Sequence, residues 1–423
     1  MNKYINFLSQ YDYDVRKTAD ARWIDQKCTY DVLSMIADCI LEYVDNTQQV
    51  EFTVSDIWQS EYARNNIMDI FSKPDPKTQA KNEYDKYFSQ PIKLLGYSKV
   101  LNVITNGNGN RYSYSINNRE ILEDIAYKKL KDLEFLTLYI EKVLYDSGLF
   151  GFFLKFFQDQ TPAGYLELKN KFTDFTIVYT NINGRTECGR IFTKILNPLA
   201  FKYKKKGTER GRISKENIKL TDLQYNRVNW RDELSGKDKN ITRVAFMENV
   251  PEVALAKYNV NKVKKELKLY NQRIYYGVSE VPMDSESQIA ATQAHHIFPQ
   301  NEFPDIADCV ENLIMLTPNQ HLTMAHPQNY TACVDRQFQY ICLKHKMFKI
   351  MENIYSNSEE EFYNFENYKK VLAIGLKNNS FLNFSDNDFA GINKLINYCY
   401  SDCLSFEVID WEKYFMMMNN GLI

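Results

Sequence analysis

Apolar residues recur at helical spacing in the N-terminal third of the chain. The first helix is predicted between Tyr30 and Val44, where one face carries Val32, Leu33, Ile36, Ile40 and Leu41. A second helix is predicted to open between Phe52 and Trp58, with Ser55 as its N-cap. A third follows a proline-containing break and ends in IKLLGY. This part of the chain is therefore predicted to be a small helical unit.

The pattern then changes from helical spacing to alternation. The string LNVITNGNGNRYSYSI predicts two strands around an NGNG turn, whose residues accept positive φ. Three helices followed by such a hairpin resemble a winged helix-turn-helix, in which the third helix enters the major groove and the wing contacts the DNA backbone. The resemblance implies that the helix near Lys81 to Lys93 faces DNA and that Arg111 lies on the wing. The alternative is a helical dimerisation or scaffold domain, because a fold does not fix a function.

The middle of the chain carries its most basic stretch. Residues 120–160 are predicted to form a pair of core helices, and TDFTIVYT further on is strand-like. Between Phe201 and Ser214 a flexible basic loop is predicted, because Gly207 and Gly211 interrupt it. Candidate DNA contacts in this loop and in the following YNRVNWRD are Lys202, Lys204, Lys205, Lys206, Arg210, Arg212, Arg227 and Arg231. Such residues bind phosphates and release counterions, and the alternative is a solvated charged loop.

Beyond residue 290 the pattern predicts a strand, a loop, a second strand and a helix. The first strand carries the pair HH, and NLIMLT forms the second. Three features agree on the helix start: Thr317 fits the N-cap, Pro318 the first helical position and Gln320 the capping-box position. His321 would then lie in the first helical turn and point back toward the first strand.

Four of the five histidines in the chain fall in this unit, at His295, His296, His321 and His326. Histidine titrates near neutral pH and is the commonest metal ligand. Phosphodiester hydrolysis needs both a base for water and a cation at the phosphate, so the cluster suits nuclease chemistry. A structural zinc site is the alternative, but it commonly uses cysteines, and Cys309 is the one cysteine between the two predicted strands. His345, on a later helix, is expected to be a surface or packing residue.

These residues resemble the HNH, or ββα-metal, endonucleases from His295 to His326. Asn312 follows His296 by 16 residues and precedes His321 by nine, and both spacings are usual for that family. The resemblance implies that His295 and His321 bind the metal, that His296 is the general base and that Asn312 staples the loop that holds His296. It also implies one divalent ion, with Mg²⁺ expected first and Mn²⁺ or another divalent ion as the alternative.

His326 departs from the family pattern. It follows His321 by five residues, which on a regular α-helix places it about 140° around the axis. It would bind the metal only if the helix ends or bulges before Pro327, and otherwise it would contact phosphate or pack in a loop. Asn319 is the second candidate for a metal or phosphate contact, and Gln320 is expected to support the site.

Composition and the absence of targeting signals limit where DNA could bind on the protein and in which compartment the protein is expected. The hydrophobic fraction of 44% and charged fraction of 25% are typical of a globular protein, and a net charge of −2 requires any DNA-binding surface to be local. The first residues lack a signal-peptide layout, and no apolar run approaches the roughly 18 residues that span a bilayer. The eight cysteines form no CxxC pair. We therefore expect free thiols, a cytoplasmic protein and no membrane partner.

Together these patterns predict an α+β, multidomain chain that is mostly helical. The predicted divisions are a winged-helix-like domain (1–120), a helical linker with the basic segment (121–250), an HNH domain (251–350) and a C-terminal helical region (351–423). The predicted function is that of a type II-like restriction endonuclease that cuts double-stranded DNA at a short sequence. A homodimer is expected because one site makes one nick. The alternatives are a modification-dependent or phage-defence nuclease, and a winged-helix DNA-binding regulator with an inactive nuclease unit.

Overall fold

The computed structural model describes residues 2–71, 81–105, 112–225, 252–282, 289–326, 334–356 and 361–403. These residues are mostly helical with small antiparallel sheets, which confirms the α+β class. The chain divides into two compact units, Met1–Leu255 (the first unit) and Ala256–Ile423 (the second unit). The finer division into four domains stays a prediction. No helix among the described residues is long and apolar enough to cross a membrane.

The first unit is built mainly of helices. They are α1 (Lys3–Leu8), α2 (Val15–Thr18), α3 (Tyr30–Thr47), α4 (Val54–Gln59), α5 (Glu61–Phe71), α6 (Lys81–Tyr97), α7 (Arg119–Tyr127), α8 (Lys131–Asp146), α9 (Phe150–Gln158), α10 (Pro162–Tyr179) and α11 (Arg185–Lys202). Its strands are β1 (Glu51–Phe52), β2 (Leu101–Thr105), β3 (Tyr112–Ile116), β4 (Lys206–Glu209) and β5 (Arg212–Asn217). The predicted first helix, third helix and hairpin strands are therefore confirmed.

A three-stranded antiparallel sheet closes the N-terminal part, with strand order β1-β3-β2. Phe52 of β1 pairs with Tyr114 of β3, and their rings stack at 6.2 Å, so that the short first strand is fixed by buried aromatic packing. The predicted N-cap at Ser55 is wrong. Thr53 caps α4 instead, because its hydroxyl and Asp56 form a reciprocal capping box. The turn that contains Arg111 lies outside the described residues.

Two predictions for the middle of the chain are also wrong. TDFTIVYT lies in α10 rather than in a strand, because Phe172, Thr173 and Thr176 pack inward at helical spacing. The basic loop is a hairpin, in which β4 pairs with β5. Gly207 is buried there: an added Cβ would lie 2.4 Å from the Asn197 side chain. Close packing, rather than flexibility, thus explains this glycine.

The second unit contains a two-stranded sheet surrounded by helices. Its elements are α12 (Glu252–Tyr275), β6 (Gln293–His296), β7 (Leu313–Leu316), a π-helix (Gln320–Ala325), α13 (Arg336–Tyr355), α14 (Phe365–Gly375) and α15 (Phe389–Cys399). The predicted strand, loop, strand and helix are present in that order. One apolar core joins β7 to the C-terminal helices, so these helices support the sheet.

A buried ion pair ties β7 to α13. One carboxylate oxygen of Glu280 accepts a hydrogen bond from the Met315 amide at 2.8 Å, and the other lies 2.6 Å from the Lys346 ammonium. Lys346 also donates to the Tyr363 hydroxyl at 2.8 Å. Both charged groups are almost completely excluded from solvent, so each one needs the other. The network fixes the strand behind the histidines.

Candidate metal centre

The two adjacent histidines leave strand β6 in different directions. His295 pairs with Ile314 and His296 with Leu313 across the sheet. Successive side chains of a strand point to opposite faces, so the two imidazoles occupy different surroundings. This geometry allows one ring to bind a metal while the other acts as a base, as the sequence predicts.

The helix after β7 explains the position of His326. Thr317 and Gln320 form the predicted capping box, with the Gln320 amide donating to the threonine hydroxyl at 3.2 Å and the Thr317 amide donating to the glutamine side chain at 3.0 Å. The helix is then a π-helix, in which hydrogen bonds run from residue i to i+5. Residues five apart therefore share a face. The helix ends at His326, so the condition that the sequence set for this residue is met.

Three histidines converge to form what we call the histidine cluster: His295, His321 and His326. The ring centroids lie 5.3 Å apart for His295 and His321, 5.0 Å for His295 and His326, and 4.8 Å for His321 and His326. One ligand atom of each ring lies within 4.8 Å of those of the other two. The cluster contains no carboxylate among the residues that the structure describes. Three imidazole nitrogens therefore lie close enough together to hold one metal ion.

A buried polar atom shows that the cluster fits a metal ion. His295 Nε2 is buried and has no hydrogen-bond partner among the described residues. An unsatisfied buried polar atom costs about 1–3 kcal/mol, and a bound cation would remove that cost. Structures retain such atoms where a ligand completes them.

Burial favours the neutral form of two members of the cluster, His295 and His321, and metal binding requires neutral imidazoles. Burial lowers the pKa of His295 well below its usual range, and charges at His326 and His321 would lower it further. The pKa of His321 is lowered by burial and then by His326. The lowered pKa values of His295 and His321 therefore favour the neutral imidazoles, whose lone pairs can bind a cation.

His296 is held by the loop between the strands. Its Nε2 lies 3.0 Å from the carbonyl oxygen of Ala307. Because a carbonyl only accepts, Nε2 carries the hydrogen and Nδ1 keeps the lone pair. Burial, followed by the positive charge of Lys264, lowers the pKa of His296 to about 4. The ring is therefore a neutral base in a fixed orientation.

Asn312 fixes that loop, as predicted. Its side chain is fully buried. Its Oδ1 accepts from the Phe298 amide at 2.9 Å, and its Nδ2 donates to the carbonyls of Phe298 at 3.1 Å and Ile306 at 3.2 Å. Ile306 directly precedes Ala307, whose carbonyl holds His296. Asn312 is therefore a positioning residue, with no place in the histidine cluster itself.

The other predicted residues of this unit lie around the cluster. Asn319 is exposed, accepts from the Thr323 hydroxyl at 3.1 Å and is not part of the cluster. Gln320 is buried and donates to the Val281 carbonyl at 2.8 Å, which ties the helix start to the preceding segment. His345 is buried in α13, which agrees with a packing role. Sequence reasoning missed Lys264, whose charge acts on three of the histidines.

The predicted DNA contacts that the structure describes lie in the first unit. Lys202 ends α11 and pairs with Glu141 at 2.5 Å, while Arg210 and Arg212 lie at the tip of the β4–β5 hairpin. A hollow of about 680 Å³ is lined by Phe201, Lys202, Lys204, Lys206, Glu216, Asn217, Ile218 and Lys219. Arg227 and Arg231 fall outside the described residues. The lysines thus form a local basic surface on a chain of nearly balanced charge.

Comparison with known proteins identifies no relative. No protein-family model, curated protein or solved structure matches the chain.

The role of His326 can be tested by metal affinity. We expect His326→Ala to weaken the binding of Co²⁺ by at least about tenfold, because one of three nitrogen ligands is removed. His345→Gln is the control, since His345 lies outside the cluster. Titration followed by the visible absorption of Co²⁺ gives both affinities. Equal affinities for the His326 variant and the unsubstituted protein would remove His326 from the ligand set.

Proposed function

We propose that the chain is a metal-dependent DNA endonuclease of the HNH type that hydrolyses phosphodiester bonds. The observation that carries the proposal is the convergence of His295, His321 and His326 beside a histidine held by a backbone carbonyl. Three ligands on one side leave coordination positions for substrate and water, as catalytic sites require. A structural site would fill those positions with protein atoms.

In the proposed reaction, His296 Nδ1 accepts a proton from the attacking water. The Ala307 carbonyl keeps the ring in the required tautomer, and Asn312 keeps the loop in place. A bound divalent ion supplies Lewis-acid stabilisation of the charge that develops on the phosphate and the leaving 3′-oxygen. The expected products carry 5′-phosphate and 3′-hydroxyl ends.

The three imidazole ligands favour some metal ions over others. Mg²⁺ prefers oxygen ligands, whereas imidazole nitrogens suit Zn²⁺, Co²⁺, Ni²⁺ and related ions. We therefore propose that a transition ion occupies the cluster, and that activity with Mg²⁺ is the alternative to be compared. Both are tested in the same cleavage experiment.

We further propose that the N-terminal part of the first unit binds the DNA. The order of α3, β1, α4, α5, α6, β2 and β3, with sheet order β1-β3-β2, supports a winged-helix fold in which α5 is an additional helix and α6 faces the major groove. The lysine-lined hollow would contact the phosphate backbone. With one nuclease site in each chain, a homodimer would cut both strands, as in a type II-like restriction endonuclease.

Plasmid cleavage tests this function. The protein is freed of metal with a chelator, then incubated with unmethylated or methylated plasmid and Mg²⁺, Mn²⁺, Co²⁺, Ni²⁺ or Zn²⁺. Discrete fragments from unmethylated plasmid, with 5′-phosphate ends, are the expected result. Cleavage of methylated plasmid alone would indicate a modification-dependent nuclease. Tight binding without cleavage under any metal would contradict the nuclease and indicate a regulator.

The basic surface can be tested separately. We expect Lys204, Lys205 and Lys206 changed together to Ala to weaken DNA binding and to reduce the slope of log affinity against log salt by about 2–3, since up to three phosphate contacts are lost. The control replaces the exposed Lys370, Lys377 and Lys394, which changes the net charge equally. Binding titrations from low to high salt measure both slopes. If the two triple variants show the same slope, the hairpin is not part of the DNA interface.

A further inference from the structure

The start of α13 contacts both backbone segments that carry the histidine cluster. The Asp335 amide donates to the Ala325 carbonyl at 2.9 Å, and Ala325 directly precedes the last histidine of the cluster. Gln339 Nε2 donates to the Ile297 carbonyl at 2.7 Å, and Ile297 directly follows the two histidines of β6. The Gln339 amide also donates to the Asp335 carbonyl at 2.8 Å, so the two contacts lie one helical turn apart.

The side chain of Gln339 has a second partner near the C-terminal end of the described chain. Tyr400, which directly follows α15 and is fully buried, donates its hydroxyl hydrogen to Gln339 Oε1 at 2.8 Å. Because the Ile297 carbonyl only accepts, the amide nitrogen must face it, and the amide oxygen is left for the tyrosine. We call the chain of contacts from Tyr400 through Gln339 to Ile297 the Gln339 bridge. It links the C-terminal segment to the end of β6.

Ile297 lies where the backbone leaves strand β6, two residues after His295. Its amide donates to the Asn312 carbonyl at 2.9 Å, and its carbonyl accepts from Gln339. Both polar groups of this peptide segment are therefore fixed, one from the loop before β7 and one from α13. Ile297 is fully buried, so loss of the Gln339 donor would leave its carbonyl without this partner away from solvent. The segment would then be free to shift, and a ligand on it would shift too.

We propose that Gln339 is a positioning residue of the metal centre, which holds the β6 segment at the histidine cluster and couples it to the docked C-terminal segment at Tyr400. The inference rests on the metal centre of the proposed function. Gln339 is not a member of the cluster and acts through the Ile297 carbonyl. Since the start of α13 also holds the other segment, it sets the spacing between His295 and His326, whose ring centroids lie 5.0 Å apart. Metal ligands need such support, because small displacements weaken binding.

The first test titrates Co²⁺ into the metal-free full chain and needs no cleavage. In Gln339→Glu, the carboxylate cannot donate to the Ile297 carbonyl but still accepts from Tyr400. Co²⁺ should bind about tenfold more weakly, and its visible absorption spectrum should change because the ligand geometry changes. Gln339→Met, which keeps the chain length and lacks the donor, should behave alike and serves if the Glu variant folds poorly. Affinity and spectrum equal to those of the unsubstituted protein, in either folded variant, would overturn the proposal.

The matched control is Gln337→Glu, at an exposed position of the same helix. It makes the same change of charge, so Co²⁺ affinity should stay within about twofold of the unsubstituted protein, with an unchanged spectrum. A loss of affinity equal to that of the Gln339 variant would assign the effect to charge and contradict the positioning role.

The second test measures the coupling from the other end of the bridge. Because coupling between two sites is reciprocal, saturating Co²⁺ should slow hydrogen exchange of the α15 amides by about tenfold in the unsubstituted protein. In Tyr400→Phe, which lacks the hydroxyl that contacts Gln339, the slowing should fall below about threefold. Tyr398→Phe is the control, since Tyr398 is 78% exposed. Slowing that is absent from the unsubstituted protein, or unchanged in Tyr400→Phe, would contradict the coupling.

The two tests separate the inference from the function on which it rests, because neither one uses DNA. Co²⁺ binding that depends on Gln339, in a protein that cuts no DNA, would contradict the nuclease and leave Gln339 as a positioning residue of a metal site. Metal-dependent cleavage together with Co²⁺ binding that is indifferent to Gln339 would support the nuclease and overturn the role of the glutamine.

Discussion

His296→Ala is expected to lower the rate of DNA cleavage by about 10²–10⁴-fold, the usual contribution of a positioned general base. The substitution removes the nitrogen that takes the proton from water. It leaves the histidine cluster intact, because His296 is not one of its three members. Co²⁺ affinity and DNA affinity should therefore stay within a few-fold of the unsubstituted protein.

The comparison that isolates this effect is His345→Ala, which removes a histidine from α13 outside the cluster. Its cleavage rate should stay within about threefold of that of the unsubstituted protein, provided that the variant is assayed while folded, since the substitution lies outside the cluster. Single-turnover cleavage of a labelled plasmid at saturating metal gives the rates. Cleavage by the His296 variant at the rate of its comparator would remove His296 as the base.

Asn312→Ala should reduce both stability and cleavage. The change leaves three backbone groups without the asparagine side chain: the Phe298 amide and the carbonyls of Phe298 and Ile306. Since unsatisfied buried groups cost about 1–3 kcal/mol each and water can reach some of them after relaxation, we expect the free energy of unfolding to fall by about 3 kcal/mol. Urea unfolding of the metal-free protein measures this loss.

The loss of cleavage by the Asn312 variant should exceed what unfolding explains. The loop carries the Ala307 carbonyl that orients His296. The rate of DNA cleavage should therefore fall about 100-fold when the variant is assayed without urea, in its folded state. Metal affinity should change less, because Asn312 does not belong to the cluster. Asn383→Ala, at an exposed asparagine outside the candidate site, is the matched control. A stable Asn312 variant with a normal cleavage rate would contradict the role of Asn312 in holding the loop.

Local signals in the sequence were sufficient to predict much of the structure of the second unit. The capping box at Thr317 and Gln320 depends on neighbouring residues, so it could be predicted from the sequence. The loop contacts of Asn312 were expected only through resemblance to HNH nucleases, and the structure shows them. The regular alternation around the NGNG turn likewise predicted strands β2 and β3 correctly.

The remaining features depend on tertiary packing. A π-helix is rare and has no simple sequence signature, so the place of His326 beside His321 could not be predicted from regular helical spacing. The β-branched residues of TDFTIVYT favour a strand, yet contacts made by Phe172 and Thr176 hold them in α10. Lys264 is far from the histidines in sequence, so its electrostatic effect on the pKa of His295 could not be predicted from local patterns.

The most direct test measures metal content and DNA cleavage in the same samples. Metal-free protein is titrated with Co²⁺, and absorption and plasmid cleavage are recorded at each addition, for the unsubstituted protein and for His321→Ala. We expect both signals to rise together and to level off at one ion per chain, and both to be lost in the variant. Cleavage that persists without metal, or that survives the loss of cobalt binding in His321→Ala, would contradict a nuclease centred on the histidine cluster.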